Sequence, residues 1–291
     1  MNNDVVLVTG AGSGFGRLIA ETLARNGCQV FAAMREPNAR NAGAADEIKA
    51  LAQSERLALR ALELDVTDED SVLRAVDAVI DACGRIDVLV NNAGSGMVDL
   101  AETVTTAQAQ RLFDTNFFGA VRMNRAVLPA MKRQGSGLLL HVSSGAGRLA
   151  IPAMSIYCAS KFALEALAEV YRYELAGIGI DSVVLEPGAY PTPIMTKMAR
   201  GEDSARRAGY GAMGGVPEAV LASLASSRAD PQDVADCVLG IIRTPAGQRQ
   251  LRYRVSPTDS GVSRINAVTD EVQAQLIEAF GLTATTTFKA H

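Results

Sequence analysis

Two short stretches of this chain carry residue types whose spacing could do chemistry. In Tyr157-Cys158-Ala159-Ser160-Lys161 a phenol and an ammonium stand four apart at the start of a helical pattern, so a helix places them on one face. A free phenol has a pKa of about 10, too high for a base near neutrality. An adjacent cation lowers it, and Lys161, one helical turn on, is placed to supply that charge to Tyr157 as a general acid/base. Taken alone, the pair also describes a solvated helix face. The second stretch is Gly10-Ala11-Gly12-Ser13-Gly14-Phe15-Gly16, which follows the apolar run Val5-Val6-Leu7-Val8 and Thr9 and precedes Leu18, Ile19, Thr22 and Leu23 at helical spacing. A strand that turns through glycines into a helix brings bare N–H groups and the positive end of a helix dipole onto one point, which binds phosphate. The common pattern G-x-G-x-x-G would need glycine at 15 or 17, where Phe15 and Arg17 stand; the pattern here is T-G-x-x-x-G-x-G. A plain strand-to-helix turn is the alternative.

The elements that must position these groups alternate along the chain. Strand signals fall near 5–9, 29–33, 59–64, 87–91, 137–142, 180–185 and 250–255. The strands are continuous apolar runs, as expected of parallel strands covered on both faces. Between them, Val72, Ala75, Val76, Val79, Ile80 and Cys83 mark one buried helix face, with Thr67 as its cap and Gly84 as its end. Val234, Cys237, Val238, Ile241 and Ile242 mark another, led by Asp230-Pro231 as cap and first helical residue. A long helical region over 107–134 contains Asn116, Gly119 and Pro129, the proline near enough to its end to cost little. Residues 192–230 break the pattern with glycines, arginines and Met195 and Met198, and the tail from Thr283 to His291 reads as frayed. The expected fold is α/β: a doubly wound (Rossmann) seven-stranded parallel sheet flanked by helices on both faces, in a single domain over 1–291, with 256–291 as a C-terminal extension.

Taken together with Asn91-Asn92-Ala93-Gly94 and Pro187-Gly188-Ala189-Tyr190-Pro191-Thr192, these motifs make the chain resemble the short-chain dehydrogenase/reductase family over roughly residues 4 to 255, with stretches around Asn116 and Tyr157 most like its steroid and retinoid branch. The resemblance implies hydride exchange between a nicotinamide cofactor and an alcohol or ketone carbon, with the protein supplying orientation and a proton. It assigns Asn116, Ser144, Tyr157 and Lys161 as catalytic. Ser144 rather than Ser143 is chosen because the family's serine lies thirteen residues before the tyrosine, and 157 − 13 = 144. Ser144 would hydrogen-bond the substrate oxygen as charge develops on it, and Asn116 would hold a water that relays protons to the lysine. The implied cofactor contacts are Gly10, Ser13, Gly14, Phe15 and Gly16 at the turn, Asp65 and Val66 at the adenine, Asn92, Ala93 and Gly94 near the ribose, Tyr157 and Lys161, and Pro187, Gly188, Tyr190 (through its backbone) and Thr192 at the carboxamide. Met34 occupies the position where an acidic residue would select NAD, and Arg35 follows it, so NADP is expected, with NAD the alternative if Glu36 faces the ribose. The family's second NADP marker, a basic residue in the glycine turn, is absent, and Ser13 stands there. The segment 192–230 is expected to cover the substrate.

Composition bounds the rest. A net charge of −4 and a pI near 5.4 argue against a nucleic-acid partner. No unbroken apolar run reaches the ~18 residues of a membrane span, and Met1-Asn2-Asn3-Asp4 lacks the features of a signal peptide. Cys28, Cys83, Cys158 and Cys237 are widely spaced and read as buried free thiols in a reducing cytoplasm. Cys158, about 100° around a helix from Tyr157, reads as packing, and with His141 and His291 as the only histidines no metal site is expected. The family resemblance, not composition, implies the partners: a small, hydrophobic ketone or alcohol, helped by Met97 and the loop methionines, and further copies of the chain in a homodimer or homotetramer, for which Phe117, Phe118 and Tyr171 are placed on the helices the family uses. Two alternatives remain: a cofactor-sensing regulator without catalysis, which would have no need of Tyr157 and Lys161, and a nucleotide-sugar epimerase or dehydratase, disfavoured by the short C-terminal region.

Overall fold

The computed structural model describes residues 3–289. Its strands are β1 Val5–Val8, β2 Gln29–Met34, β3 Leu59–Glu63, β4 Val88–Asn91, β5 Gly137–Val142, β6 Ile180–Pro187 and β7 Arg252–Val255. Its helices are α1 Gly14–Arg25, α2 Ala42–Glu55, α3 Glu69–Cys83, α4 Thr106–Phe113, α5 Gly119–Gln134, α6 Ser155–Ala176, α7 Pro193–Thr196, α8 Val216–Ala225, α9 Gln232–Arg243, α10 Val262–Ala279 and α11 Thr283–Thr286. The strands form one sheet in the order β3-β2-β1-β4-β5-β6-β7, with every neighbouring pair parallel.

Period-two alternation sends successive side chains of each strand to opposite faces. Val6 and Val8 meet Ile19 and Leu23 of α1 and Val234, Val238 and Ile241 of α9 on one face. Val5 and Leu7 meet Val72, Val76 and Val79 of α3 and Met123, Val127 and Met131 of α5 on the other. Each fully buried aliphatic side chain contributes about 1.5–3 kcal/mol of transfer free energy, so both faces stabilise the sheet. The chain reverses its direction of travel across the sheet between β1 and β4, and a crevice opens there at the carboxyl ends of the strands.

Several local details differ from the sequence reading. The cap of α3 is Asp68, whose side chain accepts from the N–H groups of Asp70 and Ser71, while Thr67 is held by Asp65 instead. The stretch 107–134 is two α-helices joined through a π-helical turn, Asp114–Phe118. The tail is not frayed through its described part: α11 forms, and the Lys289 N–H donates to the Ala176 carbonyl at 2.9 Å. Residues 290–291 of that stretch lie outside the described residues. All four cysteines are free thiols, but only Cys28 and Cys158 are buried; Cys83 and Cys237 are half-buried because they sit at the edges of their helix faces. Among the described residues no helix is long and apolar enough to cross a membrane.

Candidate active site

The crevice is a cleft of about 830 Å³ with the glycine turn in its lining. Gly10 has φ +66°, a conformation that a side chain would strain, and a Cβ on Gly16 would stand 2.5 Å from the Gly10 carbonyl. The turn therefore packs flat against β4. Thr9 Oγ1 accepts from the N–H groups of Asn92 and Ala93 at 3.0 and 2.9 Å, and Asn92 Nδ2 donates to the Thr9 carbonyl at 2.8 Å. Ser13, at the start of α1, makes no side-chain cap, which leaves the first N–H groups of this 12-residue helix without a side-chain acceptor. Bare N–H groups and a helix dipole aimed into a cleft fit the diphosphate of a dinucleotide. Gly16 and Tyr190 do not line the cleft. Tyr190 turns inward and packs edge-on against Phe15, ring centroids 5.5 Å apart, because its bulk is accommodated in the core below the turn.

Ser144, Tyr157 and Lys161 line the same cleft. Tyr157 and Lys161 occupy the first turns of α6, with Lys161 Nζ 5.9 Å from the Tyr157 ring centroid and donating to the Val142 carbonyl at 2.9 Å. Ser144 caps the tight turn Gly145–Gly147 by accepting from the Ala146 N–H, and it hydrogen-bonds Tyr157. Ser143 also lines the cleft, but its hydroxyl is engaged, donating to Glu165 Oε1 at 2.7 Å. Cys158 braces the following loop, its sulfur accepting from the Ile151 N–H.

The electrostatics correct one expectation. Burial pushes the Tyr157 phenol up to about 12, with the hydrogen bond from Ser144 pulling the other way, so the phenol is raised rather than lowered. Lys161 is not among the causes of that shift. Burial in turn pulls Lys161 down to about 8, opposed by the nearby charge of Glu165. Both groups lie in a dry wall, where each charged form loses hydration. Asn116 sits in the π-helical turn and does not reach the cleft. Its side chain accepts from the Ser95 N–H at 2.8 Å and donates to the Ser95 carbonyl and Ser160 Oγ at 3.0 and 3.1 Å, tying the β4 loop to α6.

Arg35 lines the cleft beyond the end of β2, beside Met34, Asp65 and Val66. Arg40 joins it there, a residue that no sequence signal marked because it sits in an irregular loop. Asn41 fixes that loop by donating to the Arg35 carbonyl at 2.6 Å. Glu36 adopts φ +48° and does not line the cleft, its carbonyl spent on the N–H groups of Ala39 and Asn41. Asn92, Ala93, Gly94, Pro187, Gly188 and Thr192 complete the floor. Leu149, Ile151, Met154, Met195, Met198 and Leu224 give the wall beyond Tyr157 an apolar character.

The short chain dehydrogenase family profile matches residues 4–203. Retinol dehydrogenase 8 of Homo sapiens is 35% identical over 268 residues, 87% of this chain and 82% of that protein. A short-chain dehydrogenase from Streptomyces avermitilis superposes with a TM-score of 0.76 at 31% identity, over 97% of this chain and 99% of that one. A 3-ketoacyl-(acyl-carrier-protein) reductase from Brucella melitensis, solved with NADH, superposes with a TM-score of 0.71 at 26% identity, over 88% and 97%.

Proposed function

This chain belongs to the short-chain dehydrogenase family, and from that premise we propose that it is an NADP-dependent reductase or dehydrogenase of a hydrophobic ketone or alcohol. That it is an oxidoreductase exchanging hydride between a nicotinamide cofactor and an alcohol or ketone is common ground with its relatives. The observation that carries the reading is the meeting of Ser144, Tyr157 and Lys161 in one cleft that the glycine turn also lines. A bound cofactor supplies the hydride. Tyr157, protonated at neutral pH, gives its proton to the substrate oxygen in reduction and takes it back in oxidation. Ser144 donates a hydrogen bond to the same oxygen. Lys161, anchored on Val142, holds positive charge beside the phenol, and Asn116 keeps the Ser95 loop and α6 in register. The segment 192–230 closes over the substrate, since Met195, Met198 and Leu224 already line the cleft from it.

NADP is favoured over NAD because Arg35 and Arg40 both line the adenosine end, and among the described residues neither guanidinium has a carboxylate partner. Two unpaired guanidiniums suit a 2′-phosphate. The test compares both cofactors against a panel of steroid, retinoid, acyl and aromatic ketones. Arg35→Ala and Arg40→Ala should each raise KM for NADPH by about 10- to 100-fold, the loss of one charge-assisted contact, and leave NADH nearly unchanged. Equal losses for both cofactors, or a wild-type preference for NADH, would defeat the assignment. Four free thiols fit a reducing cytoplasm, and exposed Phe118, Phe162 and Val170 on and beside α5 and α6 support a homodimer or homotetramer.

A further inference from the structure

Behind the reacting wall lies a buried ionic cluster. Glu165, one helical turn past Lys161 on α6, has a side chain only 1% exposed. Its Oε1 accepts from Ser143 Oγ at 2.7 Å, and its Oε2 lies 3.5 Å from Arg252 Nε and 3.9 Å from Arg148 Nε. A Cβ on Gly147 would stand 2.6 Å from both Glu165 Oε1 and Ser143 Oγ, so the turn that carries Ser144 is seated directly on Glu165. Glu186 on β6 shares a guanidinium with it: Glu165 Oε2 and Glu186 Oε1 both face Arg252 Nε, at 3.5 and 3.8 Å, and Glu186 Oε2 accepts from Asn266 of α10 at 2.7 Å. Two buried carboxyl groups crowded on one guanidinium, with Glu186 Oε1 accepting no hydrogen bond, disfavour ionising together.

We propose that Glu165 is a positioning residue for the reaction: it seats the serine turn through Ser143 and Gly147, and with Glu186 it holds a proton whose departure strengthens the negative charge beside Lys161. The inference rests on the reading of Ser144, Tyr157 and Lys161 as catalytic. The charged groups facing the pair come from every element packed on it. Lys161 and Glu169 lie on α6, Arg148 follows the serine turn, Arg252 and Arg254 lie on β7, and Asp270 lies on α10. Burial pushes Glu165 up to about 7, reinforced by the charge of Glu186, and burial raises Glu186 as well. The pair therefore changes charge in the working pH range. Loss of its proton favours the ammonium form of Lys161, against the burial that pulls Lys161 down.

Glu165→Gln keeps the shape and an acceptor for Ser143 while removing the charge and the proton. The expected result is a cofactor KM within about twofold of wild type. The alkaline limb of kcat for ketone reduction should move to lower pH by about one unit, because Lys161 loses the partner that raises it. Ser143→Ala keeps the carboxyl but removes a hydrogen bond that favours its charged form, so it should lower kcat and move that limb in the same direction by far less than Glu165→Gln does. A Glu165→Gln profile that superimposes on wild type after scaling would overturn the proposal. An infrared titration between about pH 6 and about pH 9 reads the protonated carboxyl without turnover. Its carboxylic acid band should vanish in Glu165→Gln, and in Glu186→Gln should titrate at lower pH because Glu165 loses a neighbouring negative charge. A band unchanged in both variants would equally overturn the proposal. Absence of turnover in the wild type would count against the catalytic reading instead, and the infrared result would still judge the carboxyl pair.

Discussion

At the residue scale the site depends on which of two adjacent serines faces the reacting oxygen. Ser144 faces the cleft and Tyr157, whereas Ser143 is spent on Glu165. Ser144→Ala should therefore cost about 10²–10³ in kcat, the usual loss of one oxyanion donor, and Ser143→Ala clearly less. Steady-state kinetics of the two variants decide this, and a larger loss at 143 would reverse the roles. The pH dependence follows from the dry wall. With Tyr157 pushed up to about 12, the phenol stays protonated and able to give its proton through neutrality. Lys161, pulled down to about 8, loses its charge as pH rises through that value, so reduction should decline there. The spacing of Ser144, Tyr157 and Lys161 was legible in the sequence. The direction of the Tyr157 shift was not, because helical spacing shows which groups share a face but not how much water that face keeps.

At the element scale, the segment 192–230, which lends Met195, Met198 and Leu224 to the cleft lining, is fastened by charge. Asp99, just past β4, is buried; its carboxylate accepts from Arg200 and from Arg207, and from the Gly201 N–H at 3.1 Å. Glu218 of α8 holds the same two arginines from the other side. Asp99→Asn removes the charge that gathers these partners. It should raise KM for the ketone by about 3- to 10-fold with kcat little changed, and it should speed proteolytic cutting within 199–215. Unchanged proteolysis and KM would show that the segment is held by packing alone. The strands were legible almost to the residue, since continuous apolar runs leave little choice of where a doubly covered strand lies. Helix starts were less so: Thr67 and Asp68 are both good caps, and tertiary contact with Asp65 decided between them. The π-helical turn at Asn116 carried no sequence signal, because its extra residue leaves the apolar pattern on both sides intact.

At the scale of the whole molecule, the sheet order fixes where a ligand can lie, and one surface extends that logic outward. Phe118 remains 48% exposed, with Phe162 and Val170 exposed on α6, whereas Phe117 and Tyr171 are partly absorbed by the fold. These exposed apolar side chains on the helices that carry the site are the contact proposed for a second copy of the chain. Phe118→Asp should shift the sedimentation coefficient toward monomer; a wild type already monomeric would refute the assembly. The alternation of strands and helices gave the architecture, but the insertion and the C-terminal helix were not predictable in detail, because their positions rest on long-range ion pairs such as those of Arg252 and Asp99. The central claim is that Tyr157 transfers the proton that accompanies hydride exchange. The most direct test is Tyr157→Phe, with binding followed by NADPH fluorescence, which no tryptophan obscures in this chain, and turnover followed on any ketone the wild type reduces. The account predicts cofactor affinity unchanged within about twofold and kcat reduced at least about 10³-fold. A variant that binds cofactor and keeps a tenth or more of wild-type kcat would contradict it.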